Sequence, residues 1–406
     1  MKDINQQNQV NRRYFLKSAA FLLGSLGLSQ FDAFAVPLEH AQMEEGLFAC
    51  NPLIWRRGDA ELEILCVFKK PVVCWVHYGK QPENLNQKTR EVRDGMAHVG
   101  TIHRIPVANL DPNIPYHYQI EASEVIQLER KDSQFGPKEK SPVFSLKGSQ
   151  SNQAETSFIV FNDIHETPTS FAELRKLSTI NEPEFYVLNG DMVSSMKSED
   201  HFITSVLAPM ALLTESTIPV IYSRGNHETW SGHARQITDY MRGVDHPFYY
   251  GFRQGPVYML IMDSGETRSD EDAANWGLIE FDAYRSKQTA WLKEELEKPA
   301  CRDAKYRIVV THIPPFYAGK ELHAATQYFK EWGDLLNAAN ISLMLCGHTH
   351  KPGIHPSVPG KHNFPIVIGG GPKPGNRTVI QVQANSAKLN LSLIRDDGTS
   401  LGNLTV

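Results

Sequence analysis

Five apolar runs beyond residue 156 of this sequence end in residues that can hold a metal ion. "SFIVFNDIH" closes on Asp163 and His165, "EFYVLNGDM" on Asp191, and "PVIYSRGNHE" on Asn226 and His227. "YRIVVTHIPP" closes on His312, and "ISLMLCGHTH" on His348 and His350. One strand-terminal Asp or His is an ordinary structural residue, but five runs ending this way in succession are not explained by turns. Imidazole, carboxylate and amide oxygen without thiolate suit Mn, Fe or Zn over a closed Cys-rich zinc site. Even with His227 set aside, the seven remaining donors exceed what one four-coordinate ion requires. Two ions sharing a carboxylate, at the ~3.5–4 Å separation of two-metal hydrolases, would use them all. Gly190, Gly225 and Gly347 each immediately precede a donor, where a residue without Cβ permits a sharp exit from the strand.

The elements that must position these residues follow from the pattern around them. The apolar runs alternate with helical stretches such as "SFAELRKLSTI", "SKQTAWLKEELEKP" and "QYFKEWGDLLNAAN", which predicts a layered α/β domain. In open α/β sheets ligands bind outside the carboxyl ends of the strands, so all five runs would deliver their donors to one edge. Residues 46–147 read instead as short β segments punctuated by Pro, Asn, Asp and Gly, which predicts a small β-sandwich. "GSQSNQAET", 148–156, is polar and reads as a linker, and the tail from Phe364 returns to strand-like runs.

Taken together, Asp163-x-His165, Gly190-Asp191, Gly225-Asn226-His227-Glu228, Thr311-His312 and Gly347-His348-Thr349-His350 resemble the calcineurin-like metallophosphoesterase superfamily. The resemblance spans about residues 157–352. It implies an α/β (α+β) four-layer sandwich flanked by helices, and phosphoester hydrolysis at a dinuclear centre. It implies further that Asp163, His165 and His350 bind one ion, that Asn226, His312 and His348 bind the other, and that Asp191 bridges them. A bridging hydroxide would attack phosphorus in line. His227 is then the catalytic candidate, as general acid or charge stabiliser, with an eighth ligand or a structural histidine as alternatives. Glu228 would orient an imidazole, and Asp263, at the end of "YMLIMDS", would either cap a turn or support the site.

The piece "IPVANLDPNIPYHYQIEA" resembles a fibronectin type III signature, so an all-β fibronectin III-like sandwich would precede the catalytic domain. That arrangement is similar to the purple acid phosphatases, with one departure. Their Gly-Asp-x-x-Tyr supplies a ferric tyrosinate, whereas "GDMVS" places Ser194 there, so a purple Fe(III) centre is not expected. The implied domains are 36–147 for the β-sandwich and 157–406 for the catalytic unit.

The rest of the chain bounds the reading. A formal charge of −5 over 406 residues argues against dedicated nucleic-acid binding. A small phosphorylated substrate is the expected partner; oligomeric state is left open. Residues 1–35 begin with Arg12-Arg13, continue through an apolar stretch and close on Ala33-Phe34-Ala35, resembling a twin-arginine signal for export to the periplasm or beyond. No other apolar run approaches the ~20 residues of a membrane span. Cys66 and Cys74 lie on successive strand-like segments, but two buried thiols are the plainer reading. "DSGETRSDEDAANWGLIEFDAYRSKQ", 263–288, reads as a solvated loop, with a pocket mouth as the alternative. "IGGGPKPG", 368–375, lacks the features of a P-loop. Alternative functions are a nuclease or nucleotide phosphodiesterase, and a binding protein on a decayed hydrolase fold.

Overall fold

A computed structural model describes residues 46–406 apart from 58–61, 109, 112–113, 147–152, 242, 244–245, 247 and 319–321. The expected export segment, residues 1–35, lies outside the described residues. The region before residue 147 forms strands only, among those described. These are β1 (Leu53–Arg56), β2 (Leu62–Gly79), β3 (Gln87–Thr89), β4 (Val92–Arg93), β5 (Met96–Ala97), β6 (Gly100–Val107), β7 (Tyr116–Gln127), β8 (Gln134–Lys140) and β9 (Phe144–Leu146).

Beyond it the apolar runs become β10 (Glu155–Phe161), β11 (Phe185–Asn189), β12 (Val220–Ser223), β13 (Tyr250–Gln254), β14 (Val257–Ile261), β15 (Tyr306–Val310) and β16 (Leu343–Cys346). The chain ends in β17 (Gly353–His355), β18 (Ile366–Ile368), β19 (Thr378–Asn385), β20 (Leu389–Arg395) and β21 (Ser400–Thr405).

Two mixed sheets pack face to face. In the first, β10, β11 and β12 run parallel, and antiparallel β19 to β21 continue it past β10. In the second, β14, β15, β16 and β18 run parallel, with β13 and β17 antiparallel at the edges. The run "FIVF" is apolar throughout because both of its faces are covered. Phe158 and Val160 pack against Met259, Ile308 and Leu345 of the second sheet. Ile159 and Phe161 point the other way, to Phe171, Leu174 and Met210 on helical segments. The outer face of the second sheet, through Leu260, Val309 and Met344, meets Trp291, Leu292, Trp332 and Leu336. Those four come from the helices Phe281–Glu297 and His323–Ala338. The layering is therefore helix, sheet, sheet, helix, a mixed α/β sheet fold.

The N-terminal strands do not stand apart from this core. β1 pairs in parallel with β12 at Trp55 and Val220, so the first sheet runs on without a break through β1, β2, β7 and β8. β2 is 18 residues long and shifts register between Val67 and Val72, where Lys69, Lys70 and Pro71 are exposed. Its first half pairs with β1 and β6, its second with β7 and β3. β10 starts at Glu155, inside the stretch expected as linker, because Glu155 and Thr156 already pair with Asn385 and Ala384 of β19. All five cysteines are buried and unpaired, and burial pushes the Cys50 thiol up to about 12.

Candidate metal centre

Each expected donor lies within a few residues of a strand's carboxyl end, and the backbone there turns sharply. Asp163, His165, Asp191, His348 and His350 all adopt left-handed φ, between 44° and 68°. Non-glycine residues rarely take this conformation, and its cost is sustained where surrounding structure over-determines it. Here Asp163 N–H donates to Gly190 O, His165 N–H to Asp191 O, and Gly347 N–H to His312 O, lacing successive loops together. Gly190 (φ 75°) passes so close to the His312 ring that a Cβ would collide with it, and a Cβ at Gly225 or Gly347 would strike Asp191 or Asp163.

The loops bring all seven donors into one cluster. His350 Nε2 lies 3.1 Å from Asp163 Oδ1, and His165 Nε2 lies 3.8 Å from Asp163 and 3.7 Å from Asp191. On the other side, His312 Nε2 lies 3.0 Å from Asp191 Oδ2, and His348 Nδ1 is 3.0 Å from Asn226 Oδ1. One donor atom each from Asp163, His165 and His350 falls within 4.8 Å of the others. The same holds for Asp191, His312 and His348, and for His165, Asp191 and His227. Asp191 thus belongs to more than one set.

The electrostatics of this cluster call for a cation. Asp163 and Asp191 are each 1% exposed. Burial would raise the Asp163 carboxyl, but His312, His165, His350 and the Asn162 amide hold it well below the usual carboxylate range. Burial would equally lower His312, yet Asp191 and Asp163 outweigh it and lift the imidazole to about 10. Without another cation, the imidazole proton supplies the positive charge the carboxylates need, and an ion would displace it. His312 Nδ1 donates to Asn189 O at 2.9 Å, which leaves Nε2 as the coordinating atom, the usual way a ligand imidazole is held. The buried Nε2 atoms of His165 and His312 make no aligned hydrogen bond among the described residues. Donor chemistry, burial and orphaned nitrogens therefore fit divalent metal.

Around the donors stands a shell that the sequence reading only partly anticipated. His227 Nδ1 donates to Ser194 O at 2.8 Å, so Nε2 faces the cluster, 3.8 Å from Asp191. The Trp230 ring packs on His227 with centroids 3.9 Å apart, and its indole N–H donates to Glu266, which is buried. Ser194 sits 3.3 Å from His165 Nδ1 and donates to Glu166 at 2.8 Å; Glu166 in turn pairs with Lys197 and His201. Asn162 braces Asp163 Oδ2 at 2.7 Å and donates to Gly370 O.

One expectation, for Glu228, changes in detail, and for Asp263 the turn-capping alternative is the one seen. Glu228 has no imidazole among its hydrogen-bond partners in the described residues. It accepts instead from the N–H groups of Asp191, Met192 and Gly225, tying two donor loops together, while burial, with Asp191 adding, pushes its carboxyl up to about 7. Asp263 is not among the clustered donors. It caps its own turn through Gly265 N–H and holds the Arg224 guanidinium at 2.5 and 3.0 Å, just before Gly225 and Asn226. The 263–288 stretch is likewise not wholly solvated. Asp263, Ser264 and Glu266 are buried and residues from Phe281 onward form a helix, while most of 271–280 is exposed, Trp276 and Leu278 included. In "IGGGPKPG", Gly369 packs closely on Asn162 and Gly371 on the His350 ring. Among these, Glu166 was the most readable from sequence, since it directly follows a donor.

Residues 156–352 match the family profile of calcineurin-like phosphoesterases. Among curated proteins, the chain is 22% identical over 359 residues to purple acid phosphatase 21 of Arabidopsis thaliana, covering 82% of this chain and 73% of that one. It is 24% identical over 198 residues to the serine/threonine-protein phosphatase CPPED1 of Mus musculus, covering 47% of this chain and 60% of that protein. Among solved structures, PhoD shares the fold with a TM-score of 0.59 at 11% identity, covering 93% of both chains. The matched family implies divalent metals, in agreement with the donor cluster. The span that holds the donor cluster, residues 156–352, is therefore similar to the calcineurin-like phosphoesterases.

Proposed function

We propose that the chain is a dinuclear metal-dependent hydrolase of small phosphomonoesters or phosphodiesters. The observation that carries this reading is that Asp191, a buried carboxylate, groups with His312 and His348 on one side and with His165 and His227 on the other. In this reading Asp163, His165 and His350 hold one ion, Asn226, His312 and His348 the other, and Asp191 both. Two divalent ions there supply an activated oxygen nucleophile for in-line attack and positive charge beside the phosphoryl oxygens.

The chain's own residues do the remaining work. His227, fixed through Nδ1 to Ser194 O and backed by Trp230, presents Nε2 to the leaving oxygen and stabilises or protonates it. His350, whose side chain is 39% exposed, lies where substrate approaches. With serine at position 194, no phenolate is at hand, which favours a colourless centre of Mn, Fe(II) or Zn. We place residues 36–147 as an appended fibronectin-like β region and residues 1–35 as a twin-arginine export leader.

The test pairs metal analysis with rates on p-nitrophenyl phosphate and bis-p-nitrophenyl phosphate. Two ions in the donor cluster and turnover of at least one ester are expected, both lost in Asp191→Asn. Ion-free protein resupplied with Mn or Zn that hydrolyses neither ester would sink the reading.

A further inference from the structure

A second group of metal-type donors lies in the N-terminal β region, outside the cluster described above. β4 and β5 form a hairpin around Asp94 and Gly95, both left-handed with φ of 49° and 82°. An Asp-Gly pair in that conformation is the signature of a two-residue type I′ turn, the tightest connection two strands can make. The hairpin closes with His98 N–H donating to Glu91 O at 3.1 Å, which sets Glu91 and His98 opposite each other at its base. His103, on neighbouring β6, is 1% exposed and completes the group. One donor atom each from Glu91, His98 and His103 lies within 4.8 Å of the other two, and the imidazole centroids are 4.7 Å apart.

The hydrogen bonds determine what these rings can do. His98 Nε2 lies 3.0 Å from Ile102 O, and His103 Nε2 lies 3.0 Å from Val72 O and 3.1 Å from Gly100 O. A carbonyl oxygen only accepts, so both Nε2 atoms carry the proton, and each Nδ1 is left with its lone pair. Backbone anchoring of one ring nitrogen is how a coordinating imidazole is fixed in tautomer and direction. Burial, with His98 adding, pushes His103 down to about 4, so it is neutral and able to ligate at pH 7. Glu91 is 8% exposed; its Oε1 takes the Arg93 guanidinium, and among the described residues its Oε2 takes only Arg104 N–H, at 2.8 Å. Oε2 therefore keeps a lone pair. His98 is half-buried, and through it the group is open to solvent.

We propose that Glu91, His98 and His103 bind a third divalent ion, separate from the hydrolytic pair. Two imidazoles and one carboxylate suit Zn(II) or a similar borderline ion, with the remaining positions filled by water. The ion fastens the β4–β5 hairpin to β6, and no step of ester hydrolysis passes through it.

The experiment uses the full chain, stripped with chelator and equilibrated with micromolar Zn(II), with bound Zn counted per chain. Three ions are expected in the parent protein and two in His98→Gln, with phosphoester turnover unchanged in that variant. Asp191→Asn should keep the hairpin ion while losing the others, so a failed hydrolase reading and a failed third site give different counts. Equal ion counts in the parent and His98→Gln overturn the proposal. Circular dichroism checks folding, and if His98→Gln does not fold, Glu91→Gln is read by the same criterion.

Discussion

His227 is the one imidazole in the cluster whose orientation is set by a neighbouring loop's carbonyl, Ser194 O, and whose own loop also carries a donor. Replacing it by alanine removes a proton donor while sparing Asp163, Asp191 and the other imidazoles. His227→Ala is expected to keep its ion content and lose about 10²–10⁴-fold in turnover, the usual worth of a positioned acid; full activity would exclude it from the chemistry. Ser194 is tested differently, because it touches a donor and contributes none itself. Ser194→Ala cuts the link from His165 Nδ1 to Glu166 and should weaken ion affinity by about 10–100-fold, read by competition with a chelator of known affinity. At this scale the donors were legible because each follows a buried apolar run. The Ser194–Glu166 and Trp230–Glu266 contacts were not, since they join residues 28 and 36 positions apart across separate loops, with no periodicity to mark them.

At the scale of elements, the strand ends work because glycine lets neighbouring loops touch. Gly225→Ala forces a methyl into Asp191, so both loops must shift. A stability loss of about 1–3 kcal/mol is expected, the range for overpacking a tight site, together with reduced ion content. Thermal unfolding and metal analysis of the same preparation check both. The alternation of strand and helix beyond residue 156 was readable because strands covered on both faces are apolar at every position. The partner of β1 was not readable. Trp55 and Val220 are 165 positions apart, and nothing in either segment's pattern names the other. The same limit explains why the β region looked detachable in sequence yet shares a sheet with the α/β core.

For the whole molecule, that shared sheet makes the N-terminal strands part of the catalytic core's stability. Arg56 at the end of β1 reaches the second sheet, donating to Arg253 O at 2.7 Å and to Gln254, and lies 4.3 Å over the Phe252 ring. A chain beginning at residue 148 would lose these ties and bare the β12 edge, and exposed edges invite pairing with other chains. Such a truncation is expected to elute as aggregate in size-exclusion chromatography, whereas a monodisperse, active fragment would show the core to be independent. Among the described residues no helix is long and apolar enough to cross a membrane.

The seven donors are divided between the sheets: Asp163, His165, Asp191 and Asn226 follow strands of the first, and His312, His348 and His350 follow strands of the second. Ions held among them are rivets across the joint between two layers as well as reagents. Each ion adds RT ln(1 + [L]/Kd) to stability, about 2.7 kcal/mol at a free concentration one hundred times its Kd. Chelation should therefore lower Tm and quicken amide exchange in the loops around Asn189, His312 and Gly347, and around the proposed hairpin ion at His98 and His103, leaving the β20–β21 ladder nearly unchanged. Exchange in those three loops that chelation leaves unchanged would mean that the two layers hold together without their rivets.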